Sequence, residues 1–395
     1  MLGIKITIWV LLIIAIYAYV GYGILLVILV KIKKLFTKPK HFPDYEPEVT
    51  LFVAAYNEKD YVDAKIDNHF NLNYPQEKVK HLWVTDGSDD GTPDQLRKYD
   101  KVEVLHTPER GGKIGAINRG MKYVKTPIVI FSDGNTMLSK DSIKIIVDLF
   151  KDPKVGCVAG EKRIFVNEED AAAGAGEGFY WKYESFLKQK DAELYSAVGA
   201  AGELFAIRTE LFQEVERDTL LDDFVISLRI VQKGYVIQYD SRAYAQETAS
   251  ANVKEELKRK IRIAAGGIQS IVRLKSLLNP FKYGIFAFQF LSHKVLRWLI
   301  VPFSLPLIFF LNMFVVLSEN NLSNFSNIYT ILFYLQVFFY LLVFIGWALK
   351  DTKTKIKLLF VPYYVFIMNY AAIRGFFRYL KGQQSVNWER AKRAT

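Results

Sequence analysis

Cysteine and histidine are scarce in this sequence. Its 395 residues include one cysteine, Cys157, and five histidines. A single cysteine excludes an internal disulfide, and so few scattered histidines exclude a zinc-ligand cluster. The sequence also offers no Ser-His or Cys-His pairing of the kind that nucleophilic enzymes use. The one cysteine fits a domain that resides in the reducing cytoplasm.

Acidic residues are also in deficit, with 41 Asp and Glu against 52 Lys and Arg, which leaves a net charge of +11. This balance favours an anionic partner: a nucleic acid, an anionic lipid or a phosphorylated small molecule. The basic residues cluster at the edges of apolar runs, and no basic patch is interleaved with aromatic residues, so no nucleic acid partner is expected. An aromatic content of 15% excludes an intrinsically disordered chain.

Long uncharged runs lie towards both ends of the sequence. Residues 6–30 exceed the roughly 20 apolar residues that cross a bilayer, and they are too long for the apolar core of a signal peptide. Further spans are predicted at 298–318 and within 329–349, whereas the shorter run 358–373 either crosses or lies partly in the interface. The positive-inside rule places the segment after the first span in the cytoplasm, because that span is followed by Lys31, Lys33, Lys34, Lys38 and Lys40.

The polar middle of the sequence, residues 45–275, predicts an α/β domain. Apolar strand-like runs alternate there with helix-like segments, and the runs are 49–56, 79–86, 102–107, 127–133 and 154–165. This alternation is typical of a mainly parallel sheet covered by helices. Ligands of such sheets bind beyond the carboxyl ends of the strands, so the polar residues at those ends form the candidate site.

Several polar residues follow the predicted strands. Asp86 ends the second strand in an Asp-Gly turn, which either presents a carboxylate or caps the next helix. Asp133 and Asn135 follow the fourth strand two residues apart, so both point to one side and offer oxygen ligands to a divalent ion that bridges a diphosphate. An ordinary Asp-Gly turn is the alternative there. Lys113 follows two glycines, a pattern that lets backbone and ammonium approach a phosphate.

Two later segments also carry chemically useful charges. Asp222 and Asp223 are adjacent carboxylates in an apolar setting, where one acts as a general base with a raised pKa or caps the helix that follows. The basic segment 254–275 either binds lipid headgroups or clamps a diphosphate with arginine forks. Its basic residues are Lys254, Lys258, Arg259, Lys260, Arg262, Arg273 and Lys275.

The order and spacing of these motifs resemble the membrane-bound family 2 glycosyltransferases with a GT-A fold, which include synthases of cellulose, chitin oligosaccharide, hyaluronan and poly-N-acetylglucosamine. The resemblance covers nearly the whole sequence. It implies an α/β fold, with a Rossmann-like nucleotide-sugar-binding domain flanked by transmembrane helices. The matching motifs are AAYNE (54–58), TDGSDDGT (85–92), GGKIGAIN (111–118), SDGNTML (132–138), GELFAIR (202–208), LDDF (221–224) and RKIRIAAGG (259–267).

The resemblance also implies a role for each matching residue. Asp223, which follows Asp222, matches the catalytic base, and Gly202 and Glu203 match a loop beside the acceptor. Asp133 and Asn135 match the motif that holds a divalent metal, Mg or Mn. The nucleotide sugar is expected to be bound by Tyr56, Glu58, Asp86, Lys113, Asp133, Arg259 and Arg262.

The sequence departs from the family pattern at three positions. Thr85 and Asn135 stand where the family often has acids. Ile263 stands where processive members have a tryptophan that stacks on the acceptor sugar, which puts the acceptor and processivity in question. Near the C-terminus, Trp388 and Arg393 resemble a tail that closes over the nucleotide in some synthases, whereas a juxtamembrane anchor of aromatic and basic residues is the alternative.

The resemblance therefore implies an inverting, metal-dependent transfer of a sugar from a nucleotide sugar, with UDP favoured, to a growing glycan at the membrane. A single transfer to a lipid-linked acceptor is the alternative. The expected setting is a multi-pass protein of the cell membrane with a cytoplasmic catalytic domain, and the expected partners are the donor, the acceptor, the bilayer and an accessory export subunit. The predicted segments are an anchor (1–35), a catalytic domain (45–275), an interfacial helix region (276–297), two or three membrane helices (298–381) and a basic tail (382–395).

Overall fold

The structure is a computed structural model that describes residues 1–38, 41–165, 171–248, 253–349 and 357–382. Its strands are β1 (Val49–Ala55), β2 (Val79–Asp86), β3 (Val102–Thr107), β4 (Ile128–Asp133), β5 (Met137–Leu138), β6 (Val155–Phe165), β7 (Leu204–Arg208) and β8 (Val236–Thr248). Its helices are α1 (Leu2–Ile16), α2 (Tyr22–Phe36), α3 (Lys59–Phe70), α4 (Thr92–Leu96), α5 (Gly112–Gly120), α6 (Ser142–Leu149), α7 (Ala171–Leu194), α8 (Asp222–Gln232), α9 (Val253–Arg273), α10 (Pro280–Tyr283), α11 (Ile285–Phe290), α12 (Val301–Ser318), α13 (Ile328–Ala348) and α14 (Lys357–Leu380). The π-helical turns Tyr17–Gly21 and Leu291–Ile300 join α1 to α2 and α11 to α12.

All eight strands belong to one sheet, in the order β3-β2-β1-β4-β7-β6-β8-β5. The strands β3, β2, β1 and β4 are parallel, as are β6 and β8, whereas β7 is antiparallel to both its neighbours and β5 is antiparallel to β8. The five predicted strands are confirmed. The sheet is mixed rather than fully parallel, because β7 and β5 run antiparallel to their neighbours. The register pairs Ala55 with Thr85 and Ala54 with Asp133, so the polar strand ends meet at one edge.

Apolar side chains cover both faces of this sheet. All seven residues of β1 are buried, as expected for a central parallel strand with helices on either side. On one face Phe131 lies between Phe52 and Phe205, with ring centroids 5.1 Å and 4.7 Å away. On that face α5 approaches the sheet so closely that a Cβ at Gly120 would lie 2.5 Å from the Phe52 ring. This tight contact fixes α5, and with it Lys113, over the ends of β1 and β2.

Three helical segments of the described residues are long and apolar enough to cross a membrane: Leu2–Phe36, Ile285–Ser318 and Ile328–Ala348. They contain the spans predicted from sequence. The ambiguous run 358–373 lies within α14, which packs along α9 and against α13 and is not among the three.

A buried polar network ties these helices to the α/β domain. Asp191 of α7 accepts hydrogen bonds from the Tyr22 hydroxyl and from Gln289, and its other oxygen lies 2.6 Å from His293 Nδ1. Two turns earlier on α7, Glu184 forms ion pairs with Lys294 and Arg297. Buried charges are costly unless they are paired, so this network favours one packing arrangement of the helices against α7.

Candidate active site

Asp223 lies in the first turn of α8, where the helix dipole favours a carboxylate. The neighbouring Asp222 is 8% exposed, so two carboxylates lie close together in a poorly solvated place. Burial and the negative charge of Asp222 raise the pKa of Asp223 to about 7, against the opposing effect of Lys113. A carboxyl with such a pKa is half ionised near neutrality, which suits a general base.

Lys113 of α5 connects Asp222 with the end of β4. Its Nζ lies 2.8 Å from Asp133 Oδ1 and 3.6 Å from Asp222 Oδ2. Burial alone would lower the pKa of Lys113, but the charges of Asp133 and Asp222 prevail and hold it above its ordinary value. The side chain is therefore a fixed cation between the predicted metal motif and the predicted base.

The turn that carries Asp133 and Asn135 rests on a lysine that the sequence analysis did not identify. Lys65 of α3 is fully buried, and its Nζ donates to Ser132 Oγ at 2.7 Å and to the Thr136 carbonyl at 2.5 Å. Burial lowers the pKa of Lys65 to about 7, while the nearby charge of Asp133 acts in the opposite direction. Lys65 thus fixes both sides of the turn that presents Asp133.

A second buried lysine supports the loop predicted to lie beside the acceptor. Lys162 of β6 lies 2.5 Å from Glu203 Oε1 and is also paired with Glu247. Burial would raise the pKa of Glu203, but the contact with Lys162 holds it well below its usual range. Glu203 is therefore a permanently ionised carboxylate whose position depends on Lys162. Next to it, Gly202 leaves room for Lys113, since a Cβ there would lie 3.1 Å from the ammonium.

Asp86 does not cap the next helix, α4, as the alternative expected, but accepts hydrogen bonds from the start of the later helix α5. Its two carboxylate oxygens accept hydrogen bonds from the backbone N–H groups of Gly111, at 3.1 Å, and Gly112, at 2.7 Å, at the start of α5. The Arg110 guanidinium stacks on the Tyr56 ring, 3.7 Å from its centroid. Tyr56, Asp86, Arg110 and Lys113 line a small cleft, here called the nucleoside cleft.

Most of the predicted site residues line one larger cavity of about 230 Å³, here called the central pocket. Lys113 lines both this pocket and the nucleoside cleft, so the two are neighbours. The predicted residues that line the central pocket are Glu58, Lys113, Asp133, Asn135, Gly202, Glu203, Asp222, Asp223, Arg259 and Arg262. Tyr56 and Asp86 line only the cleft, and Trp388 and Arg393 lie outside the described residues.

The central pocket also has an aromatic wall, whose residues were not predicted from the sequence. Tyr180 and Trp181 reach it from α7, and Trp298 reaches it from the turn before α12. Trp298 lies 5.5 Å from Phe224 between centroids and covers Gly267, where a Cβ would lie 2.1 Å from the ring. The contact between Trp298 and α9 had one local signal in the sequence, the glycine at position 267, one turn after Ile263. A glycine alone does not show which side chain packs against it.

The oxygen donors in the pocket are compatible with a divalent cation. Asp133 and Asn135 follow the same strand and line the same pocket, and Mg²⁺ and Mn²⁺ prefer oxygen ligands. The described residues contain no group of three or more His, Cys, Asp or Glu side chains arranged to hold a metal. A cation here would accordingly need further oxygens from a bound diphosphate or from water.

Comparison with known proteins identifies the family of the α/β domain. Residues 50–216 match the model of the family "Glycosyl transferase family 2". The poly-beta-1,6-N-acetyl-D-glucosamine synthase of Staphylococcus aureus is 25% identical over 246 residues, which is 60% of this chain and 58% of the synthase. The enzyme of the same name from Staphylococcus epidermidis is 22% identical over 264 residues, which is 64% of this chain and 63% of that enzyme. The match thus spans about three fifths of these curated relatives.

A solved structure extends the fold comparison to nearly the whole chain. The mannosyltransferase PcManGT from Pyrobaculum calidifontis, in complex with GDP-Man and Mn²⁺, superimposes with a TM-score of 0.67 at 22% identity. The superposition covers 95% of this chain and all of the mannosyltransferase, and it shows the shared fold alone. The chain therefore contains a glycosyl transferase family 2 domain at residues 50–216, within a GT-A-like fold that apolar helices flank.

Proposed function

We propose that the protein transfers a sugar from a nucleotide sugar to a glycan acceptor at the membrane, with inversion at the anomeric carbon. The observation that carries this proposal is the meeting of Asp223, Lys113, Asp133 and Arg262 in one pocket. Burial and the charge of Asp222 raise the pKa of Asp223 there to about 7. A base tuned to neutrality beside a cluster of cations suits the removal of a proton from a hydroxyl while a diphosphate departs.

The reaction follows as a single displacement. Asp223 takes the proton of an acceptor hydroxyl, whose oxygen bonds to the anomeric carbon as the bond from that carbon to the diphosphate oxygen breaks. Attack from the side opposite the leaving group inverts the anomeric centre. Lys113, Arg259 and Arg262 neutralise the charge that develops on the diphosphate. No covalent enzyme intermediate is required.

Asp133 and Asn135 are the residues that would hold a divalent cation. Bound there, Mg²⁺ or Mn²⁺ would supply positive charge to the leaving diphosphate. The mannosyltransferase of similar fold was solved with Mn²⁺, which supports this assignment. The neutral Asn135 contributes a weaker ligand than a carboxylate, so a larger share of the coordination falls to the diphosphate.

The nucleoside cleft is proposed to take the base and ribose. Tyr56 offers a ring on which a base can stack, and Glu58, two residues further along the chain, lines the central pocket. Since Asp86 already accepts two backbone hydrogen bonds, its contact with a ribose or uracil would use its remaining lone pairs. UDP is the proposed nucleotide because of the resemblance to the synthases.

The leading acceptor is a growing polysaccharide, as the names of the staphylococcal relatives suggest. A lipid-linked acceptor is the second candidate, favoured by Ile263 in place of a stacking tryptophan. In both cases residues 45–275 are proposed to lie on the cytoplasmic side, where nucleotide sugars are available, between an anchor (1–35) and the later helices (276–297 and 298–381). An accessory export subunit and a tail (382–395) that closes through Trp388 and Arg393 remain parts of this proposal.

The test is a panel of radiolabelled nucleotide sugars incubated with the purified protein in vesicles, followed by sizing of the products. We expect one donor to be consumed and a labelled product to appear only with added Mg²⁺ or Mn²⁺. A ladder of long products indicates polymerisation, and a single extractable product indicates transfer to lipid. Consumption of no donor by protein that binds UDP would contradict the proposal.

A further inference from the structure

A short loop, residues 216–221, leads directly into the helix that carries the proposed base. Helix α8 begins at Asp222, immediately after this loop, and Asp223 is its second residue. We call the segment the base loop. Its last three residues also form part of the wall of the central pocket: Thr219, Leu220 and Leu221. The position of the base loop therefore determines where the first turn of α8 lies relative to the pocket.

Gln269 of α9 holds the base loop through its side-chain amide. Its Oε1 accepts a hydrogen bond from the Leu220 backbone N–H at 3.0 Å, and its Nε2 donates to the Asp218 carbonyl at 2.9 Å. One amide thus satisfies a backbone donor and a backbone acceptor two residues apart. Two bonds from one side chain fix the orientation of the base loop as well as its distance from α9.

Two further contacts with the base loop lie before and after Gln269 on α9. Arg273 donates to Thr219 Oγ1 at 2.6 Å and binds the Asp218 carboxylate at 2.8 Å. At Gly266 the loop approaches so closely that a Cβ would lie 2.7 Å from Leu221 Cγ. Positions 266, 269 and 273 are three and four residues apart, so they share one face of the helix. The base loop is therefore held along two turns of α9.

The first half of the same helix faces the proposed diphosphate site. Arg259 and Arg262 line the central pocket, and Arg259 lies 2.9 Å from Glu256 in an ion pair within α9. The helix runs without interruption from Val253 to Arg273. One element thus carries both the arginines proposed to neutralise the leaving group and the residues that hold the base loop. A shift of the loop on α9 would change the distance between the base and the leaving group.

The contacts with the base loop differ in their expected strength. The Asp218 carboxylate that Arg273 binds is 66% exposed, and water screens ion pairs at the surface. Leu220 and Gln269 are half-buried, so loss of the amide would leave a backbone N–H without its partner where water is less available. Gln269 is therefore the main restraint on the loop.

We propose that Gln269 is a positioning residue for Asp223: through the base loop it fixes the place of that carboxylate relative to substrates bound beside Arg262. This inference rests on the proposed function, since it takes Asp223 as the base. Gln269 does not line the central pocket, and it lies outside the motif RKIRIAAGG (259–267). A small displacement of a base slows proton transfer strongly, whereas binding of the donor does not depend on the base.

The test replaces Gln269 by methionine, which has a similar length and no amide. Purified protein in vesicles is assayed with the donor that it consumes, and UDP binding is measured by titration. We expect kcat to fall by about tenfold to a hundredfold in Gln269→Met. The KM of the donor and the Kd of UDP should change less than about twofold, because Lys113 and the arginines of α9 keep their places.

The pH profile gives a readout that a loss of general stability would not move. Burial contributes to the raised pKa of Asp223, and a loosened loop admits water, so Gln269→Met should move the acid limb of kcat to lower pH. The charged groups that act on Asp223 are unchanged in this variant: Asp222, Lys113 and Glu203. A shift of the limb therefore reports the position of the base loop.

The matched control removes a glutamine amide from α8 itself. Gln232 donates to Ser276 Oγ at 2.8 Å, away from the base loop, and Gln232→Met should keep kcat within about twofold and leave the acid limb in place. An equal fall of kcat in both variants would show that any lost contact of α8 slows the reaction, and it would overturn the specific role of Gln269.

UDP binding separates the outcomes. A Gln269→Met protein that binds UDP with unchanged kcat overturns the positioning role, as does one whose kcat and donor affinity fall equally. If this variant binds no UDP, Gly266→Ala takes its place, because the added Cβ displaces the base loop at Leu221. The same selective fall of kcat is expected there, and unchanged kcat would again overturn the role. A wild-type protein that consumes no nucleotide sugar would overturn the proposed function, and this inference with it.

Discussion

The central pocket and the cavity next to it share a wall but have opposite chemistry. The central pocket, about 230 Å³, is lined by ionised groups that hold one another in place, such as Lys113 between Asp133 and Asp222. A second cavity of about 700 Å³, the apolar cavity, is lined mainly by aliphatic and aromatic side chains of α2, α7, α9 and α14. The ionised central pocket is thus suited to proton transfer and to binding an anionic group, whereas the apolar cavity offers mainly hydrophobic contact.

The largest effect that separates the two regions is expected from Asp223→Asn. The amide cannot take the proton of the acceptor hydroxyl, so transfer should fall by about a hundredfold to ten-thousandfold. UDP binding should stay the same, because it does not depend on that proton. Initial rates and UDP titrations measure both quantities. The exposed Asp94→Asn is the matched control, and full turnover by Asp223→Asn would remove Asp223 as the base.

The next largest effect is expected from a change of Lys65, which supports the turn that presents Asp133 to the central pocket. Lys65→Met removes the hydrogen bonds to Ser132 and to the Thr136 carbonyl and loosens the turn that presents Asp133. Loss of such a supporting contact typically costs tenfold to a hundredfold in metal affinity or activity. We therefore expect the Mn²⁺ concentration for half-maximal activity to rise by about tenfold.

The control for this variant lies on the same helix. Lys59→Met replaces an exposed lysine of α3 and should leave the Mn²⁺ dependence unchanged. An unchanged Mn²⁺ dependence in Lys65→Met would mean that the turn keeps its shape without the lysine.

The sequence predicts those residues of the site that belong to short local motifs, and it does not predict those that act through distant partners. Asp133, Lys113 and Asp223 belong to short motifs at strand or helix ends, and the topology of a parallel sheet brings such ends together. Their meeting in one pocket was therefore predictable, although their roles remain predictions. Lys65 and Lys162 act through partners about 70 and 41 residues away, and no local pattern distinguishes them from surface lysines.

The same difference between local signals and distant contacts applies to the fold and to the membrane segments. Runs of apolar residues predicted five of the eight strands in the described residues and the three long helical segments, because burial and length are properties of single segments. The reversed direction of β7 was not predicted, since pairing depends on distant partners. The loss of the family tryptophan at Ile263 was visible in the sequence, but the neighbouring Trp181 and Trp298 became apparent only in the structure.

A moderate effect is expected in the pH dependence of the central pocket. Because the pKa of Asp223 is raised to about 7, the ionised base is lost as the pH falls below neutrality, and kcat/KM should fall about tenfold for each further pH unit. The charge of Asp222 contributes to that rise, so Asp222→Asn should move the acid limb to lower pH. Initial rates across the acidic range measure the midpoint. A midpoint that stays near neutrality would show that Asp222 does not act on the base.

The smallest effect is expected at the edge of the apolar cavity. Gly23 of α2 lines it, and an added Cβ would lie 3.4 Å from Phe186 and 3.5 Å from Leu187, so Gly23→Ala fits with little movement. The methyl group narrows the apolar cavity, so the second candidate function, with a lipid-linked acceptor, predicts a rise of only about two- to threefold in the KM of an acceptor that carries a hexadecyl chain. Gly3→Ala on α1, where a Cβ meets open space, controls for the gain in helix propensity that both changes bring. Because the central pocket does not contact Gly23, nucleotide release should be the same in both variants, and a larger change in nucleotide release than in acceptor KM would show that the two regions are not independent.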